Sequence, residues 1–406
     1  MRPATLAVPM LPVRRPLTVL AVLAVLALMS GVAACGGDSS SSTASAPAAT
    51  TVTTQAPVAA PAQAYPATAT KNTTRVATAS SVATAAAVAR IVSPGGGAGQ
   101  VPDAVVLADA GDWRGALAGA VLMAPPLRAP LLYTEGGELP DATKAALGAL
   151  HPAGSARANN AQAIRLGTAA GPGGLRVTSL PGADPYTLAQ SIDDYRSRVA
   201  GRPSDAVMVV AADRPEYAMP AAAYAAKSGD PVLFTARDTL PAPTRAAIRA
   251  HGRPHIYVLG PDSAVSAAVE AQLAQLGTVT RIAAADAPST AIAFARFQDG
   301  NFGWGVVDPG HGFVFVSPRR PGDAGAAAPL SASGTYGPLL LTAPGGSLPR
   351  SVTEYLLDVK PGYSSDPVRG VYNHGWIVGD TQTVGVAAQA TIDGLLEIAP
   401  VPAKQP

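Results

Sequence analysis

Five histidines, a single cysteine and a recurring set of loop arginines are the residues of this 406-residue chain with the most chemistry to offer. His151, His251, His255, His311 and His374 are scattered. His251 and His255 have the spacing of two metal ligands on one helix face, but Gly252 and Pro254 between them break any helix, so no metal site and no cofactor is expected. No Gly-x-Ser-x-Gly elbow, Ser-x-x-Lys pair or complete P-loop occurs, and the run Gly95-Gly96-Gly97-Ala98-Gly99 precedes a strand where a phosphate loop follows one. It reads as a hinge, and no catalytic residue or enzymatic activity is expected. The arginines are more suggestive. Arg114, Arg214 and the pair Arg319 and Arg320 each stand in the loop after a predicted strand, where open parallel sheets bind ligands. Guanidinium groups gathered there would grip phosphates or carboxylates of an anionic polymer. Trp113 and Tyr217 lie close enough in sequence to stack on its sugars. Two duller readings stay open: solvated or Asp-paired arginines, with Asp112, Asp213 and Asp323 adjacent, and aromatics that simply pack.

Cys35 has a different chemistry. Arg14 and Arg15 precede an uncharged run, Pro16 to Ala34, whose apolar heart is shorter than the roughly 20 residues a bilayer span needs. Val32-Ala33-Ala34-Cys35 then resembles a bacterial lipobox, which implies cleavage after residue 34 and lipidation of the Cys35 thiol. A sole cysteine leaves the exported fold without an internal disulfide. Residues 35–71 are mainly Ser, Thr, Ala and Pro and too poor in large apolar side chains to fold, so a tether is expected between membrane and body. Loss of residues 1–34 removes three arginines and no acid, taking the formal charge from +2 to −1. With no basic run interleaved with aromatics, nucleic-acid binding is excluded as the main role.

The elements that must position these residues are written three times. A strand, an alanine-rich stretch and a Pro-initiated strand recur as Ala104–Ala108 to Pro130-Leu131-Leu132-Tyr133-Thr134, Ala206–Val210 to Pro231-Val232-Leu233-Phe234-Thr235, and Phe313–Val316 to Pro338-Leu339-Leu340-Leu341-Thr342. The second strands lie 101 and 107 residues apart, far beyond solenoid periods of roughly 20–50. Each is followed by Leu-Pro (Leu139-Pro140, Leu240-Pro241, Leu348-Pro349), a helix start with proline in the first turn; Asp238 or Thr239 is the expected cap of the middle one. Continuous apolar strands alternating with helices predict an α/β fold of parallel sheets covered on both faces. The expected division is a signal segment 1–34, a tether 35–71, repeats over 72–183, 184–286 and 287–398, and a tail 399–406.

The series is clearest in the middle unit, with Ile256-Tyr257-Val258-Leu259-Gly260 and Ala264-Val265-Ser266 completing it, and it resembles the cell wall-binding repeat 2 family of bacterial surface proteins. Arg75-Val76-Ala77-Thr78-Ala79, Pro185-Tyr186-Thr187-Leu188-Ala189 and Pro288-Ser289-Thr290-Ala291 echo the family's helix start between units. The family's Phe-Pro-Asp-Ala-Leu-Ala element survives as an acid only at Asp323-Ala324. The resemblance implies three similar α/β modules in a pseudo-threefold arrangement within one monomer, used to hold anionic cell-wall polymer or a peptidoglycan-associated glycan. The expected protein is therefore a non-catalytic, lipid-anchored envelope lipoprotein on the extracytoplasmic face, a wall binder or scaffold. A solute-binding lipoprotein of a transporter is the alternative. High alanine and low lysine are consistent with an actinobacterial source.

Overall fold

The computed structural model describes residues 67–95 and 100–401; the signal segment, Cys35, most of the expected tether and the last five residues lie outside the described residues. Its framework is three parallel sheets with one strand order. In the first, Leu131–Thr134, Val105–Asp109, Ala163–Leu166 and Val177–Leu180 lie side by side, all parallel. In the second, Val232–Thr235, Ala206–Ala211, His255–Leu259 and Thr278–Ile282 repeat that order. The third begins the same way with Leu339–Leu341, Gly312–Val316 and His374–Val378. Its fourth strand is Thr73–Val76, from the start of the described chain, and Ala67–Ala69 adds an antiparallel edge. The central strands are buried along nearly their whole length, as continuous apolar runs require when helices cover both faces.

That closing strand departs from the sequence reading, which made Arg75–Ala79 the helix start of the first repeat and residues up to 71 a tether. The helix begins only at Ser81, with Ser80 as its cap accepting from the Ala83 amide at 3.2 Å. Thr73–Val76 is held by side chains from the far end of the chain. Arg75 is buried and donates to Gln389 Oε1 at 2.7 Å and to the carbonyls of Gly379 and Asp380 at 2.9 and 3.0 Å. Asp393 accepts from the Asn72 amide at 2.8 Å.

Three inner helices follow the central strands: Trp113–Gly119, Pro215–Ser228 and Gly322–Ala327, the first and last prolonged by 3-10 turns Ala120–Met123 and Ala328–Ser331. They touch one another pairwise and form the common core of the three units. Such close approach needs small residues, and the helices supply alanine and glycine. A Cβ on Gly325 would lie 3.0 Å from the Ala116 backbone. Three linking helices, Ser81–Val92, Pro185–Ala200 and Ala287–Arg296, follow the fourth strands. Each packs on the inner helix of the unit whose sheet it leaves and on an outer helix of the next. The units are therefore interlocked by strand and helix.

The Leu-Pro motif is structural, as expected, but its capping differs. Pro140, Pro241 and Pro349 are themselves the cap residues of Asp141–Leu150, Ala242–Ala250 and Arg350–Asp358, and no side chain of Asp238 or Thr239 bonds the helix start. The threonine three residues on closes two of the turns: Thr143 and Thr244 donate to the carbonyls of Tyr133 and Phe234 at 2.5 and 2.6 Å. Among the described residues no helix is long and apolar enough to cross a membrane.

Candidate functional site

Arg214, Arg319 and Arg320 stand between the central strands and the inner helices, and Arg114 lies in the first turn of Trp113–Gly119. The guanidinium groups of Arg114, Arg214 and Arg320 are occupied locally. Arg114 Nε donates to the Ala212 carbonyl of the second unit, and its guanidinium lies 4.7 Å from the Trp113 ring centroid. Arg214 pairs with Glu216 at 2.9 Å and lies 5.6 Å from the Tyr217 ring. Arg320 is the most committed. It donates to the Thr78 carbonyl at 2.9 Å and to Thr84 and Thr383 Oγ1, both at 3.2 Å, and forms an ion pair with Asp323 at 2.9 Å. Burial pushes the Asp323 carboxyl up and Arg320 pulls it back. Arg319 alone of the four is exposed.

Of the three alternative aspartate partners, only Asp323 takes an arginine of these loops. Asp112 instead caps its helix, accepting from the Arg114 and Gly115 amides at 3.1 and 3.2 Å. Both aromatics make packing contacts. Trp113 meets Phe234 of the second unit edge-on at 6.0 Å. Tyr217 is 8% exposed, and its ring lies against Gly260, whose φ of +113° and lack of a side chain allow the approach. The first of these loops is thus a seam between units.

The histidines stay apart, and among the described residues no group of side chains is arranged to hold a metal ion. His251 is nevertheless not an ordinary surface residue. Its ring is buried, with Nε2 at 2.8 Å from Asp193 Oδ2 and Nδ1 at 2.7 Å from the Ser204 carbonyl. Burial opposes its charge, but the Asp193 carboxylate outweighs this and raises its pKa.

Beyond this network a cleft of about 590 Å³ opens at the N-terminal ends of the second unit's strands, opposite the arginine loops. Arg196, Lys227, Asp230, His255 and Tyr257 line it, and Asp299 reaches in from the hairpin Gln298–Asp299 and Phe302–Gly303 of the next unit. The sequence reading missed it. Its residues come from four separated segments, and no spacing motif joins them.

Residues 180–270 match the family model Cell wall binding domain 2 (CWB2). The middle unit is thus similar to a CWB2 repeat over most of its length. Two solved structures share the fold of most of the chain: Cwp8 from Clostridium difficile, with 18% identity over 80% of this chain and 52% of that one at a TM-score of 0.60, and Cwp6 from Clostridium difficile, with 16% identity over 82% of this chain and 51% of that one at 0.62. The chain spans about half the length of these structures. No curated protein matches. The CWB2 match covers one unit, while the common strand order extends the same architecture to the other two.

Proposed function

We propose that this protein is a non-catalytic envelope lipoprotein that holds cell-wall polymer through its CWB2-like body and is tied to the membrane at Cys35. The observation carrying this reading is the CWB2 match over residues 180–270, set in a body whose three sheets share one strand order. The lipobox-like Val32-Ala33-Ala34-Cys35 supports the anchor and the extracytoplasmic location. Arg319 is the exposed loop arginine that would meet an anionic polymer, while Arg114 and Arg320 serve mainly to join elements and Arg214 pairs with Glu216 of its own helix. The solute-binding alternative requires two lobes around one cleft, whereas this body has three sheets of one strand order and its cleft sits at the strand ends of the second unit beside a hairpin of the third.

Two measurements test the reading. Full-length protein in detergent is expected to sediment with purified wall, and retention is expected to weaken with salt, since a 0.1 M electrolyte already screens exposed charges beyond about 10 Å. The Cys35→Ser variant is expected to lose labelling by a fatty-acid analogue. Wall-independent sedimentation would contradict the first half of the proposal, and unchanged labelling the second.

A further inference from the structure

The cleft beside the second unit has a fixed floor and unsatisfied walls. Ser204 ties the floor together: its carbonyl meets His251 at 2.7 Å, and its hydroxyl donates to Asp230. Asp193 and His251 complete this layer with 3% and 1% side-chain exposure. The walls offer donors without acceptors. Lys227 has the rings of Tyr224, Trp304 and Tyr336 at 5.8, 5.3 and 5.1 Å from its ammonium, while Asp230 acts on it only through the field. Aromatic faces stabilise the charge but satisfy none of its three N–H donors. Arg196 gives one N–H to the Pro125 carbonyl at 3.0 Å, and its Nε is buried without a partner.

Carboxylates stand among these donors. Asp230 and Asp299 both line the cleft, and among the described residues Asp299 accepts only from the Tyr257 hydroxyl, at 2.9 Å. Asp205 adds a third, paired with Arg202 at 3.1 Å. A bare anion would meet Lys227 and Arg196 but be repelled by three carboxylates. A metal ion would face the reverse conflict. Hydroxyl groups satisfy both kinds of wall, because each donates one hydrogen bond and accepts others. The exposed His255 ring, stacked at 18° on Tyr257, adds a flat aromatic face at the rim. The volume lies within the roughly 300–1,000 Å³ of small-ligand sites.

From this juxtaposition of unpaired cations, carboxylates and an exposed ring we infer that the cleft binds a single uncharged sugar unit of a glycan, with hydroxyls donating to Asp230 and Asp299 and accepting from Lys227 and Arg196. The inference rests on the wall-binding reading for the source of the sugar, but it assigns the contact to a face that the arginine loops do not occupy.

The test is a titration of full-length protein in detergent, followed by saturation-transfer NMR, with N-acetylglucosamine and glucose as sugar probes and inorganic phosphate as the competing probe. Saturable transfer from protein to sugar is expected. Lys227→Met keeps the stem between the rings, and Asp299→Ala alters an exposed hairpin, so both should fold. Each is expected to weaken sugar binding about tenfold with an unchanged melting temperature, while Arg253→Ala, in a shallow hollow elsewhere on this unit, changes nothing. Absence of transfer, equal transfer in the Lys227 and Asp299 variants, or displacement by phosphate would overturn the inference. Wall retention that survives Lys227→Met would sink this cleft while sparing the wall-binding reading. Sugar binding without wall retention would do the opposite.

Discussion

At the scale of single residues, the same side-chain type does different work in equivalent places. Arg319 and Arg320 are neighbours, yet one is exposed and the other carries a fully buried carboxylate. Removing one partner of a buried pair strands the other charge, at a cost of about 3–5 kcal/mol. Urea denaturation should show that loss for Arg320→Ala, whereas Arg319→Ala should stay within about 0.5 kcal/mol of the parent. A comparable stability for the two variants would mean that Asp323 finds other compensation. His251 makes a pH prediction. Its folded pKa is raised, so its stabilising contribution is complete below the unfolded value of about 6.5 and is lost as pH rises through the folded value. The stability gap between the parent and His251→Gln should therefore narrow from pH 6 to pH 9. A gap that widens over that range would contradict the assigned charge pair.

At the scale of elements, much of the fold was legible because it is local. Continuous apolar runs marked Ala206–Ala211 and Gly312–Val316, and Leu-Pro marked the outer helices. Thr73–Val76 was not legible. It is four residues long, half its residues are threonine, and its partner strand lies some three hundred residues away. Nor could the sequence show Asp193 beneath His251, since 58 residues separate them and neither belongs to a motif. The closing strand gives a sharp prediction. Deleting residues 1–76 exposes the edge of His374–Val378, and hydrogen exchange should show lost protection at Gly375–Val378 while Val106–Ala108 stay protected. Equal protection in both sheets would deny the closure a stabilising role. Among the inner helices, Gly325→Val forces a side chain against the Ala116 backbone and should cost about 1–3 kcal/mol in thermal unfolding. A neutral effect would show that the helices can separate without penalty.

At the scale of the whole molecule, three sheets of one order are locked by linking helices and by a strand borrowed from the chain's own beginning. That strand directly follows the expected tether. Under the proposed function, tension from a membrane anchor would act on Thr73–Val76, where Arg75, Gln389 and Asp393 hold it. Anchor and wall contact would then load the same body. The central claim is polymer binding, and it is tested most directly by sedimenting the full-length protein with purified wall before and after acid extraction of covalently attached anionic polymer. Retention on intact wall is expected to fall sharply after extraction and to weaken with added salt. Equal sedimentation with intact and extracted wall, or none with either, would contradict it.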